Sequence, residues 1–178
     1  IRNMAGGEDF NEVVFDNVLV PKDRIVGEPG NGWQQVTSEL AYERSGPERF
    51  LSSFRVFVEL VRICGDSPSP HQAAAIGRIA SHFMTLRRMS LSVAGMLEAG
   101  KDVSVEAALV KELGNNFEKL LPEIARLVVP DLNAADPDKQ RLFRETFEET
   151  LMLSPSFTLR GGTREIMRGV IARGLGLR

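Results

Sequence analysis

The sequence predicts a mainly α-helical chain: an up-and-down four-helix bundle with an extra short C-terminal helix, preceded by one or two short β-strands. Three observations carry this. Beyond residue 32, apolar residues recur at three- and four-residue spacing, the period that lines one face of an α-helix. Prolines and glycines punctuate those stretches at helix-length intervals, and the short connections between them favour antiparallel neighbours. Before residue 32 the pattern changes to runs of Val, Ile and Phe broken by turn residues.

Residues 10–26 (FNEVVFDNVLVPKDRIV) are interrupted at Asp16-Asn17 and at Pro21-Lys22-Asp23, which predicts two short strands or extended segments with turns between them. Residues 27–32 (GEPGNG) read as a loop. The first helix is expected over about residues 33–64, with Leu40, Phe50, Phe54, Phe57, Val58 and Val61 recurring along it. A kink is expected at Ser45-Gly46-Pro47, because proline lacks an N–H and crowds the preceding turn. Trp33, the only tryptophan, is expected to pack across the strand-to-helix junction. Ser67-Pro68-Ser69-Pro70 is a linker.

The second helix is expected over about residues 71–98, with Ile76, Ile79, Phe83, Leu86 and Val93 inward and Gly100 ending it. The third covers about residues 104–129, carrying Leu109, Leu113, Phe117, Leu120, Leu121 and Ile124, with room for a kink at Pro122 and a stop at Pro130. Asp136-Pro137 opens the fourth, to about residue 153, with the proline early in the helix where its missing donor costs little. Gly161-Gly162-Thr163 opens a short last helix to about Arg173, ended by Gly174.

Composition narrows the function classes. A chain of 178 residues, 43% hydrophobic and 26% charged, suits one globular domain with a piece of another. A formal charge of -2 offers no basic field for nucleic acid or an anionic membrane. No apolar run approaches the roughly 20 residues needed to span a bilayer, and no signal peptide is visible. The single cysteine, Cys64, excludes an internal disulfide and reads as a buried, inert thiol in a reducing, cytoplasmic compartment. His71 and His82 lack a third ligand, so no metal site is expected. A start at Ile1, without an initiator methionine, leads us to expect a fragment or a processed product.

Two segments carry a resemblance. The opening stretch GGEDFNEVVFDNVLVPKDRIVGEPGNGWQQVTSELAYER (residues 6–44) and the closing stretch LRGGTREIMRGVIARGLGLR (residues 159–178) resemble the acyl-CoA dehydrogenase family. In that family an F-D-x-V-x-V-P strand end closes the middle β-domain, a G-x-G-W turn opens the C-terminal helical domain, and a Gly-Thr-x-[EQ]-I-x-R helix closes the chain. Residues 66–155 match only in being helical. The resemblance implies residues 1–31 as the end of a truncated β-domain and 32–178 as the C-terminal helical domain.

It also implies α,β-dehydrogenation of an acyl-CoA thioester with FAD: a carboxylate takes the α-proton, the flavin N5 takes the β-hydride, and an electron-transfer flavoprotein or similar acceptor takes the electrons. A thioester α-proton is weakly acidic, so such a base needs desolvation, a raised pKa and placement within hydrogen-bond reach. Many members place it directly before the Gly-Thr of the closing motif, where this chain has Gly161. Members resembling the long-chain and isovaleryl types place it in a Glu-Arg pair of the first helix of this domain, which Glu43-Arg44 matches. Glu43 is therefore the expected base, with Glu39 the lesser alternative.

By the same resemblance Arg44, Gly161 and Gly162 are expected at the substrate, and Thr163 and Glu165 at the flavin. The opposed readings are a surface ion pair of Arg44 with Glu48, and a favourable acid in the first helical turn for Glu165. The family's Arg-x-x-Phe-Gly segment and its Gly-Gly-x-Gly turn are missing, which puts cross-subunit flavin binding in doubt. The full-length protein is expected to be a homodimer or homotetramer, with a heteromer open, and the fragment alone is expected to be inactive. A non-catalytic partner subunit and an acyl-CoA oxidase are the alternatives.

Overall fold

The computed structural model describes residues 1–177. Six helices follow in order: α1 (Gly32–Ser45), α2 (Phe54–Cys64), α3 (Pro70–Glu98), α4 (Ser104–Val128), α5 (Pro137–Leu153) and α6 (Arg164–Gly174). Short 3-10 turns sit at Pro47–Arg49, Leu132–Ala134 and Ser154–Thr158.

Local chemistry accounts for the ends. Ser69 and Gln72 form a reciprocal capping box at the start of α3, with Pro70 in the first turn where no N–H is needed. Gly100 turns left-handed (φ +69°) just past its end. Asp136 Oδ1 accepts the Asp138 and Lys139 N–H groups to open α5. Removing the cap by S69A should cost about 1 kcal/mol. At this chain length that lowers the thermal midpoint by about 2–4 °C, readable by circular dichroism.

The expected kinked helix over residues 33–64 is instead two helices. Gly46, directly before Pro47, is extended (ψ 157°) and ends α1 outright. The proline ring disfavours a helical conformation in the preceding residue. The α4 proline behaves differently: α4 is continuous through Pro122. Pro122 deprives the Glu118 carbonyl of its helical donor. Ser53 Oγ supplies one instead, at 2.8 Å.

Helix α4 is central and packs against α1, α3 and α6, with α2 and the Ser154–Thr158 turn beside it. Gln72 Nε2 donates to Val128 O at 3.0 Å, so the start of α3 meets the end of α4 and the two run antiparallel. The core is centred on Phe83, edge-on to both Phe54 and Phe117, and is continued by Leu60, Ile79, Val110 and Leu121. His82 stacks on Phe117. Cys64 is half-buried rather than fully buried, and desolvation pushes its thiol pKa up. Among the described residues no group of His, Cys, Asp and Glu is placed to hold a metal ion. No helix among them is long and apolar enough to cross a membrane.

The N-terminal expectation needs correction. Among the described residues there is no strand, and residues 10–26 are exposed apart from any sheet, with only a 3-10 turn at Lys22–Arg24. A strand exists through its ladder, and this segment has no partner here. Phe15 and Leu19 are left bare. Trp33 is likewise 81% exposed rather than packed at a junction: the preceding segment meets α1 at Gly27 and Gln35 and leaves the indole uncovered.

Candidate active site

One face of α4 explains the site. Lys111, Asn115 and Glu118 lie at i, i+4 and i+7, all fully buried, while Val110, Phe117 and Leu121 fill the apolar core beside them. Buried polar groups require partners. Theirs come from the loop before α2, from one another and from the chain between α5 and α6.

Glu118 accepts the Ser52 N–H (2.7 Å) and an Arg160 guanidinium N–H (3.1 Å). Burial nonetheless pushes its carboxyl pKa up, with Ser52 and Arg160 pulling it back. The Arg160 guanidinium lies 4.8 Å over the Phe157 ring. Lys111 Nζ donates to Gly162 O at 2.6 Å. The Asn115 amide, oriented as its partners require, donates to Phe157 O and accepts from Lys111 Nζ at 2.8 Å. Desolvation lowers the Lys111 pKa to about 8, and Arg49, Arg44 and Arg160 push the same way while Glu112 opposes them.

The α6 turn meets α1 across this cluster. Arg44 Nε donates to Gly161 O at 3.2 Å, so Arg44 bonds the turn rather than Glu48, which lies beside Arg49 instead. Burial lowers the Arg44 pKa against the raising effect of Glu43. Arg49 is buried, donates to the Glu43 carbonyl at 2.9 Å, and pairs its guanidinium with Glu43 Oε1. Gly161 (φ +64°) and Gly162 (φ +101°) are both left-handed, a conformation in which glycine carries no steric penalty. A Cβ at position 161 would stand 3.0 Å from Glu43 Oε1, 3.3 Å from Lys111 Cε and 3.4 Å from Arg49 Nη2. Glu43 and the turn before α6 therefore converge on the same space, although Glu43 is 42% exposed and this chain alone does not desolvate it.

Glu43, Arg44, Gly161 and Gly162 are thus brought together. Thr163 adjoins them, half-buried, and makes no side-chain cap to α6. Glu165 is exposed on the first turn of α6, its carboxyl held low by its own backbone N–H and the Thr163 hydroxyl. Glu39 is exposed. Arg49, Lys111, Asn115, Glu118 and Arg160 were missed by the sequence reading. The available signal was polar residues at 111, 115 and 118, continuing the spacing of Ala107, Leu121 and Ala125 on an otherwise buried face.

No family model matches the chain. It is 28% identical to the acyl-CoA dehydrogenase IpdE1 of Mycolicibacterium smegmatis, over 99% of this chain and 45% of that protein. It is 29% identical to the acyl-CoA dehydrogenase FadE29 of Mycobacterium tuberculosis, over 94% of this chain and 45% of that protein. With FadE34 of the same organism the identity is 26%, over 98% and 24% respectively. Its fold is similar to glutaryl-coenzyme A dehydrogenase in a glutaryl-CoA complex, with TM-score 0.70 and 19% identity over 92% of this chain and 42% of that one. It is also similar to a variant of the steroid ACAD Tcur3481-Tcur3483, with TM-score 0.75 and 20% identity over 100% and 48%. The chain spans about half the length of the IpdE1 and FadE29 relatives and about a quarter of FadE34. Its curated relatives are acyl-CoA dehydrogenases along the whole chain, including the middle that matched the family only in being helical.

Proposed function

We propose that this chain is the C-terminal helical part of a cytoplasmic, FAD-dependent acyl-CoA dehydrogenase, in which Glu43 removes the α-proton of an acyl-CoA thioester. The observation that carries the reading is the approach of Glu43 Oε1 to the space above Gly161, where a commoner family member would carry its base. Residues 1–31 are the end of a β-domain and residues 32–178 the helical domain, built from α1 to α5 with the short α6 added.

Arg49 holds the Glu43 carboxylate through Oε1, and Oε2 takes no part in that pair. An ionised carboxylate fixed in this way can accept a proton from a thioester carbon placed over the Gly161–Gly162 turn. Arg44, tied to that turn, offers a fixed cation to the anionic or polar end of the substrate. Gly161 and Gly162 permit close backbone approach.

The residues present also fit a flavin. Thr163 leaves the opening of α6 uncapped, and a helix N-terminus favours an anionic diphosphate. Thr163 would contact the cofactor, with Glu165 at the turn's outer edge. When bound there, FAD would supply a two-electron acceptor for the β-hydride, with an electron-transfer flavoprotein or similar acceptor as the protein's redox partner. Desolvation of Glu43 falls to substrate and to the parts of the full-length protein that face α1, assembled as a dimer or tetramer.

The test uses the full-length protein that carries this chain. Purified material should show flavin absorbance, bleach when an acyl-CoA is added anaerobically, and exchange the substrate α-proton with deuterated solvent. Bound flavin without bleaching or exchange across short, long, branched and steroid acyl-CoAs would instead mark a non-catalytic partner subunit. Oxygen uptake that outpaces dye reduction would mark an oxidase.

A further inference from the structure

We propose that Lys111 is a positioning residue that fixes the Gly161–Gly162 turn in front of Glu43 from inside the helical core. The assignment rests on the reading of Glu43 as the base. Lys111 is fully buried on the central helix, an unusual place for an ammonium, and it reaches through to the turn rather than out to solvent. Its Nζ donates to Gly162 O at 2.6 Å, and the same nitrogen is braced by Asn115. Its Cε stands 3.3 Å from where a Cβ on Gly161 would lie, opposite Glu43 Oε1. Two consecutive left-handed glycines have little intrinsic preference for one shape. A buried donor on one carbonyl and Arg44 on the other hold this turn in a single conformation.

The charge of Lys111 also reaches the site. It faces Arg44 from α1, Arg49 from the turn after α1, Arg160 and Glu43 around Gly161, and Glu112 on its own helix. With its pKa lowered to about 8, the ammonium loses its proton as pH rises through that value. Deprotonation turns a charge-assisted hydrogen bond to Gly162 O into a weaker neutral one and loosens the hold on the turn.

The experiment compares kcat and KM of the FAD-loaded, full-length parent with K111M and K111Q from pH 6 to 10. The parent should show a limb in kcat near pH 8, and K111M should lack it. In K111M kcat should fall roughly 10- to 100-fold, the cost of a small misplacement at the site, with KM changed less than about threefold. Lys111→Gln retains one amide donor toward Gly162 O and should recover part of kcat without restoring the limb. A merely structural lysine would lower the thermal midpoint and leave the limb in place, which overturns the assignment. A parent without a limb near pH 8 overturns it even if neither variant folds. Undiminished α-proton exchange in E43Q counts against the Glu43 reading alone, whereas a persisting limb in K111M counts against Lys111 alone.

Discussion

Replacing Glu43 by glutamine in the full-length flavoprotein should reduce acyl-CoA-dependent flavin reduction by about 10²- to 10⁴-fold, the range supplied by a positioned general base. The amide preserves the shape of the side chain and can still accept from Arg49, so folding should be untouched. What it loses is the ability to take a proton. Stopped-flow bleaching should therefore slow by that factor while substrate binding, read as the flavin spectral shift, changes little. Solvent exchange of the α-proton should vanish in parallel, because it needs the base and not the hydride acceptor. The alternative carboxylate, Glu39, lies on the exposed side of α1, and E39Q should leave both rates within about twofold, as surface substitutions generally do. An E43Q protein that bleaches at the parental rate would remove Glu43 from the reaction, whatever the family resemblance of the chain.

The second large effect is on stability. Gly114 lies on buried α4 where the chain after α1 crosses it: a Cβ there would stand 2.3 Å from the Arg49 carbonyl oxygen and 3.2 Å from Phe50 Cβ. The obstacle is backbone, so no rotamer change relieves it. Alanine is otherwise the better helix former by about 1 kcal/mol, which makes the sign of the result informative. Overpacking of this kind costs about 3 kcal/mol or more. G114A should thus lower the thermal midpoint by roughly 6–12 °C at this chain size. Because Arg49 must move with its carbonyl, the Glu43–Arg49 pair should loosen too, and activity should fall beyond what residual folding explains. A raised midpoint in G114A would show that the two segments do not touch.

These two glycine-related contacts mark where sequence reading worked and where it stopped. Gly161 stood out because it occupies a motif position at which many relatives carry an acid, and Glu43 because it precedes an arginine in the matching helix. Gly114 carried no such mark. A glycine within a helical pattern reads as a mild defect until the crossing backbone is seen. Lys111 and Glu118 were passed over for a related reason. A charged residue within a helix is usually solvated, and nothing local distinguishes one whose partners lie in another segment. The break at Gly46-Pro47 was read as a kink because the proline signal gives a place and not a geometry. The strands over residues 10–26 and the packing of Trp33 failed together, since both presuppose a neighbouring layer.

The helices α3, α4, α5 and α6 were legible to within a residue or two because their information is local: apolar period, a capping serine or aspartate, a proline in the first turn, a left-handed glycine after the end. The family kinship was legible for the same reason, in two short contiguous motifs. Convergence was not. Arg44 and Gly161 are 117 residues apart in the chain. What joins them is the packing of α1, α4 and α6 around a polar stripe that must find partners once water is excluded. Desolvation acts on groups assembled from distant segments, so it becomes visible only when the chain has closed around them.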